Sequence, residues 1–246
     1  MIVFSILKLV ILGLNTLIVA PLVGVMAAFD QKASYALCLL WVRVNLLGFG
    51  VRVETRRRAA LDPSAAFVFM SNHRSQLDVL AVVEALREFQ LRWVAKKELT
   101  RVPVFGWALR HAGHIIIDRS NHMQAVASLR AAREQMLRGV SVIIFPEGTR
   151  APSDEALLPF KKGGFMLALE TGFPIVPIAV RGSRALLPKG AWRIRGGTIE
   201  VVVGAPIAVA GRTREELMER VSAFMAAELD IQAPTGALPA TRAEAV

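Results

Sequence analysis

The sequence predicts an α/β domain on a largely parallel or mixed sheet covered on both faces, preceded by an apolar, membrane-embedded helical segment. Three observations carry that expectation. Near-continuous apolar runs with β-branched residues recur from about residue 49; helix-like segments separate several of them; and the first 50 residues form two long apolar stretches.

The N-terminal segment comes first. Between Lys8 and Asp30 stand 21 residues without a charge, "LVILGLNTLIVAPLVGVMAAF", close to the roughly 20 apolar residues a helix needs to cross a bilayer. Pro21 is expected to kink this helix, and Asn15 adds a polar point. A second apolar stretch, "ASYALCLLWVRVNLLGFG", is interrupted by Arg43. Two helices joined by "DQK" would both span, or would form a hairpin seated in one leaflet. An uncleaved anchor is favoured over a secretory signal, because the run exceeds a signal's apolar region and a second run follows. Next, "RVETRRR" places Arg52, Arg56, Arg57 and Arg58 as a basic collar suited to anionic headgroups on the cytoplasmic side.

The runs "GVRVE", "AAFVFMS", "LRWVA", "HIIID", "VSVIIF", "FPIVPIAV" and "TIEVVV" read as strands, and 76–88, 121–138 and 212–229 as helices. In the second helix Ser120 or Asn121 would cap the start and Gly139 would supply the stop. The end, "APTGALPATRAEAV", lacks periodicity. The expected organisation is a two-helix membrane segment over 1–50, an α/β domain over 51–230 and a flexible tail over 231–246.

Composition narrows the partners. The chain is 54% hydrophobic, 20% charged and carries a formal charge of +10. The apolar share exceeds the roughly 45–50% of ordinary soluble domains, so the basic excess points to an anionic membrane or phosphorylated substrates before nucleic acid. No stacking aromatics interleave the basic clusters, which argues against nucleic-acid binding. Cys38, the single cysteine, excludes an intramolecular disulfide and a thiolate metal cluster.

Chemistry concentrates in three places. In "FMSNHRSQLDVL", His73 precedes Asp78 by five positions. That spacing is awkward on one helix face, so His73 belongs in the loop before a helix and Asp78 in its first turn. A carboxylate so placed fixes the imidazole tautomer and stabilises the cation that forms when the ring takes a proton. A capping role for Ser75 or Asp78 would also explain the carboxylate. With no G-x-S-x-G elbow, His73 would activate a water or hydroxyl supplied by substrate. In "VIIFPEGTRAP", an apolar strand presents Glu147, Gly148, Thr149 and Arg150 at its carboxyl end, where open α/β sheets bind ligands. Arg150 could fork onto a phosphate, Gly148 could admit backbone amides and Glu147 could orient a hydroxyl. In "VAKKELTRVPVFGWALRHAGHIIIDRSN", Lys96 follows one strand and Arg119 stands beside a helix start. The remaining histidines, His111, His114 and His122, have no metal spacing.

Taken in order, "NHRSQLD", the "KKELTRVPVFGWALRHAGHIIIDRSN" segment, "FPEGTR" and "FPIVPIAVRGS" resemble the glycerolipid acyltransferase family, in particular the bacterial 1-acylglycerol-3-phosphate acyltransferases. The resemblance covers roughly residues 66–205. It implies a mixed, mostly parallel sheet flanked by helices, with a two-helix membrane anchor. It implies transfer of an acyl group from acyl-CoA or acyl-carrier protein to a lysophospholipid acceptor at the inner (cytoplasmic) membrane, with the catalytic domain facing the cytoplasm and no metal or bound cofactor. By that resemblance His73 is the general base and Asp78 its orienting partner. Glu147, Gly148, Thr149 and Arg150 match the acceptor-binding motif, Arg119 and Lys96 match phosphate contacts, and the segment around Pro177 matches donor or acyl-chain binding. Relatives use other lysolipids or glycerol 3-phosphate, so those acceptors stay open. A membrane-bound hydrolase and a non-enzymatic lipid-binding protein are the rivals from other classes.

Overall fold

The computed structural model describes residues 2–117 and 130–231. Its first helix, α1 (Ile2–Met26), runs unbroken through Pro21. Asn15, Val19 and Val23, spaced four apart, fall on one buried face, while Phe4, Leu14, Leu17, Ile18 and Leu22 are exposed. Helix α2 (Gln31–Phe49) begins where the Asp30 carboxylate accepts the Lys32 and Ala33 amides and stops at Gly50, whose φ of 67° ends the helix in the left-handed region. The two helices pair through polar contacts. Asn15 donates to the Trp41 carbonyl at 2.9 Å, Trp41 Nε1 to Thr16 at 3.0 Å, and Ser34 to the Val23 carbonyl at 3.0 Å. Lys8 donates to the Phe49 carbonyl at 2.7 Å, satisfying an acceptor left open at the end of α2.

Here the expected two-helix anchor needs correction. Among the described residues one helix, α1, is long and apolar enough to cross a membrane, with a mean hydropathy of 2.3 over Val3–Met26. Helix α2 packs on the α/β core. It carries Gln31, Lys32 and Arg43, pairs Arg43 with Glu84 at 3.0 Å, and buries Tyr35, Val42, Leu46 and Phe49 in the main core.

The sheet contains β1 (Val51–Arg57), β2 (Val68–Ser71), β3 (Leu91–Lys96), β4 (Ile115–Ile117), β5 (Ser141–Ile144), β6 (Ile175–Arg181) and β7 (Gly197–Val203), ordered β1-β7-β6-β2-β5-β3-β4. Only the β6–β7 pair is antiparallel. The sheet is therefore mixed and mostly parallel, and every run read as a strand forms one. Strand alternation separates two cores. Phe69, Ile143 and Val176 face α2 and α3 (Leu77–Ala85); Val68, Met70 and Ile144 face α5 (described over 130–136), α6 (Gly163–Thr171) and α8 (Arg214–Leu229). A 3-10 turn (Lys97–Arg101) and the short helices α4 (Phe105–His111) and α7 (Ser183–Leu186) complete the chain. The proposed caps Ser120 and Asn121 and the tail from 232 lie outside the described residues.

The basic collar is also less free than its sequence suggests. Arg56 pairs with Glu200 at 2.9 Å, Arg57 with Glu88, and Arg58 with Glu228 at 2.7 Å. Edge strand β1 thus joins its neighbours by ion pairs, which leaves less charge for a headgroup.

Candidate active site

Strands β2, β5, β3 and β6 run parallel, so their carboxyl ends share one edge of the sheet. Four successive residues after β2 are each fixed there. Asn72 extends the ladder through its side chain: Nδ2 donates to the Val180 carbonyl at 3.0 Å, and Oδ1 accepts the Val180 amide at 2.7 Å. His73 has its backbone held on both sides. Its amide donates to Glu147 Oε1 at 2.8 Å, and its carbonyl accepts the Ala151 amide at 2.7 Å. Arg74, 3% exposed, reaches the loop after β5, donating to the Ser153 carbonyl at 2.6 Å and Asp154 at 2.9 Å. Ser75 accepts the Leu77 amide at 3.1 Å and donates its own hydroxyl to the Leu187 carbonyl at 2.8 Å.

Asp78 stands in the first turn of α3 and is fully buried. A single oxygen, Oδ2, accepts three times: from His73 Nδ1 at 2.9 Å, from the Arg74 amide at 2.6 Å and from the Ser75 amide at 2.8 Å. One atom therefore fastens the two residues that lead into the helix and hydrogen-bonds the imidazole. In the neutral ring, donation to Asp78 places the proton on Nδ1 and leaves the lone pair on Nε2. The ring, 13% exposed at its side chain, stacks on Phe145 at 4.1 Å, and Phe145 lies parallel to Trp93 at 6.2 Å. One face of the base is thus walled by aromatic carbon.

Glu147 follows β5 at the same edge. It is 2% exposed and commits both oxygens to backbone amides: Oε1 to His73, and Oε2 to Leu158 at 2.9 Å. Burial pushes its carboxyl above the ordinary range, while the two amides pull the other way. It ties the turn bearing the base to the loop after "FPEGTR". Gly148 turns the chain at φ 71°, which glycine adopts without strain. Thr149 is exposed and Arg150 half-buried. Among the described residues the Arg150 guanidinium makes no hydrogen bond or ion pair, and its carbonyl accepts Lys189 Nζ at 3.1 Å. Lys96 closes β3 at the same edge, its side chain outside the described set, and Arg119 lies outside the described residues. Pro177 sits in β6 opposite Met70 of β2, one strand from the base.

Among the described residues no group of three or more His, Cys, Asp or Glu side chains is placed to hold a metal. No serine or cysteine among the described residues hydrogen-bonds the His73 ring. Ser75 is buried and its hydroxyl proton is directed to a carbonyl. Sequence reasoning missed the parts played by Asn72, Arg74 and Phe145. Only their adjacency to the two motifs marked them, and their partners lie 108 residues away for Asn72 and 79 for Arg74.

A family model described as Acyltransferase matches residues 51–181. Among similar proteins is the 1-acyl-sn-glycerol-3-phosphate acyltransferase of Pseudomonas aeruginosa, 36% identical over 180 residues, covering 72% of this chain and 68% of that protein. The human 1-acyl-sn-glycerol-3-phosphate acyltransferase alpha is 35% identical over 170 residues, covering 69% and 59%. The chloroplastic 1-acyl-sn-glycerol-3-phosphate acyltransferase BAT2 of Brassica napus is 31% identical over 189 residues, covering 76% and 54%. The chain therefore spans little more than half the length of such plant relatives. In fold it matches the crystal structure of the 1-acyl-sn-glycerophosphate acyltransferase PlsC from Thermotoga maritima, with a TM-score of 0.78, 23% identity, and coverage of 93% of this chain and 94% of that one.

Proposed function

The chain belongs to the acyltransferase family, and from that premise we propose that it moves a fatty acyl group from a thioester to the 2-hydroxyl of 1-acylglycerol 3-phosphate, giving phosphatidic acid. The donor is acyl-CoA or acyl-carrier protein. The observation that carries the proposal is the pinned dyad: Asp78 holds the His73 imidazole through Nδ1, and the Ser75 hydroxyl beside it in the chain is committed elsewhere.

The acceptor hydroxyl gives its proton to His73 Nε2 as its oxygen attacks the thioester carbonyl. Asp78 stabilises the resulting imidazolium. The tetrahedral intermediate collapses, the carbon–sulfur bond breaks, and the imidazolium returns the proton to the departing thiolate. Arg150, without a protein partner among the described residues, takes the acceptor phosphate. Lys96 and Arg119 join it there, by resemblance. Thr149 and the amides around Gly148 complete the acceptor side. Glu147 acts on the base through the chain, as a positioning residue rather than an acceptor contact. Helix α1 seats the enzyme on the bilayer that holds its acceptor; the inner membrane, with the site facing the cytoplasm, fits this chemistry.

The test is acyl transfer by purified, detergent-solubilised protein, offered 1-acylglycerol 3-phosphate, glycerol 3-phosphate and lyso-ornithine lipid in parallel, with products identified by mass spectrometry. Phosphatidic acid as the main product supports the proposal. Transfer to either of the other acceptors in preference overturns the choice of acceptor, and released fatty acid alone overturns transfer itself.

A further inference from the structure

Arg92 is the second residue of β3, at the amino-terminal edge of the parallel strands and so across the sheet from His73. It is 4% exposed. Nη1 donates to the Leu91 carbonyl at 2.9 Å and Nη2 to the Gln31 side-chain oxygen at 2.8 Å. Both acceptors are neutral. Among the described residues no carboxylate pairs with this guanidinium, and its Nε has no hydrogen-bond partner. The neighbouring Tyr35 hydroxyl is equally without a partner, on a residue 8% exposed. A buried charge persists where an opposite charge or a complete set of hydrogen bonds compensates it. Here the described residues supply neither.

Both side chains line a cleft of about 860 Å³ between the start of α2, the amino ends of β3 and β5 and the end of α5. The lining residues include four basic side chains, Lys32, Arg87, Arg92 and Arg138, against one acid, Glu88. That acid is already held by Arg57, and Arg87 is held by Glu84 at 3.2 Å. Lys32 and Arg138 are exposed, and their side chains have no partner among the described residues. Gly113, at φ 75°, borders the unpaired edge of Arg92; even a Cβ there would stand 3.5 Å from Nε. The cleft therefore combines a buried guanidinium without a carboxylate partner among the described residues with a cationic mouth, and a dianion answers its charge excess better than a single carboxylate does.

We propose that this cleft binds a phosphoryl anion, with Lys32 and Arg138 as its ligands at the mouth and the buried Arg92 guanidinium, which no carboxylate among the described residues neutralises, adding its charge from beneath. The site is separate from the acceptor site at the other edge of the sheet and does not depend on the acyl-transfer proposal.

The test is the thermal midpoint of the full chain in detergent, titrated with inorganic phosphate against chloride at fixed ionic strength. Phosphate at ten times its dissociation constant multiplies the folded-to-unfolded ratio about elevenfold. Wild type and Arg150→Gln, which removes the phosphate ligand proposed at the other site, should both gain. In the Arg150→Gln background Arg92→Met should not gain, and the surface variant Lys32→Gln/Arg138→Gln in that background should need more phosphate even if Arg92→Met folds poorly. A parallel arm measures binding to phosphatidylcholine vesicles with and without phosphatidylglycerol. Stabilisation by free phosphate assigns a soluble anion; an anionic-vesicle preference weakened by the same substitutions assigns a lipid headgroup. The proposal is overturned if Arg150→Gln abolishes the phosphate response. It is also overturned if neither phosphate nor vesicle binding responds to Arg92→Met or to Lys32→Gln/Arg138→Gln.

Discussion

Replacing Asp78 by asparagine removes one charge and leaves the shape of the side chain unchanged. The outcome depends on which atom of the new amide faces His73, and the structure decides that. Two backbone amides, from Arg74 and Ser75, point at the Oδ2 position from 2.6 and 2.8 Å. An NH₂ group placed there would face two N–H donors, so the asparagine oxygen takes the position and still accepts from His73 Nδ1. The tautomer is kept and only the anion is lost. At an effective dielectric near 20, a charge about 4 Å from the imidazolium is worth about 4 kcal/mol. A neutral hydrogen bond returns about 1 kcal/mol of that. The remaining difference corresponds to a fall in kcat of roughly 10²-fold at 1.36 kcal/mol per decade, with KM for the acceptor little changed. Steady-state acyl transfer by wild type, Asp78→Asn, His73→Ala and the double variant measures this. The asparagine effect should vanish when His73 is already absent, because the two side chains act as one unit. A loss below fivefold would refute the charge argument. An undiminished loss in the His73→Ala background would refute coupling through the imidazole.

Other outcomes follow from the neighbouring contacts. Glu147→Gln offers one acceptor to two buried amides; it should cost about 1–3 kcal/mol of stability and lower kcat, read by urea unfolding and acyl transfer, and a change in acceptor KM alone would return Glu147 to the acceptor. Arg150→Ala should raise the acceptor KM at least tenfold, on the scale of a charge-assisted hydrogen bond, whereas an unchanged KM would remove Arg150 from the phosphate. His114 is pushed down to about 3 by burial and, less, by the Arg92 charge, while its Nδ1 accepts the Trp93 amide at 3.1 Å. A histidine depressed in the folded state stabilises fully above its unfolded value near 6.5. That stability is lost as pH falls toward 3, by up to about 1.4 kcal/mol per unit. His114→Asn, which keeps an acceptor, should flatten this acid limb in unfolding measured from pH 7 to 4, and an unaltered limb would assign it to other groups.

The central strands β2, β5 and β6 were legible because they are buried on both faces and their apolar runs are nearly continuous, so each announced itself locally. The His73–Asp78 geometry was legible for a similar reason, since a five-residue spacing closes only across a strand-to-helix bend. Helix α6 was not. It opens with Gly163 and Gly164, poor helix formers, and is not among the helices read from the sequence; at Gly164 a Cβ would meet Ile144 and Met70 at 3.1 to 3.3 Å. The glycine marks close packing rather than a turn. Helix α2 misled in the opposite sense: its apolar residues suit a bilayer and a protein core alike, and only its partners in α3 and β1 distinguish them. The work of Glu147 was hidden for a different reason. Spacing within a motif says where a carboxylate stands, but its partners are 74 and 11 residues distant in the chain.

The most direct measurement is a single turnover of purified protein with an acyl thioester, with and without 1-acylglycerol 3-phosphate, followed by lipid and intact-protein mass spectrometry on wild type and His73→Ala. Direct activation of the acceptor hydroxyl by His73 predicts phosphatidic acid from wild type, at least a hundredfold less from folded His73→Ala, and no acylated protein when the acceptor is withheld. An acyl adduct on the protein, or near-normal product from His73→Ala, would contradict it.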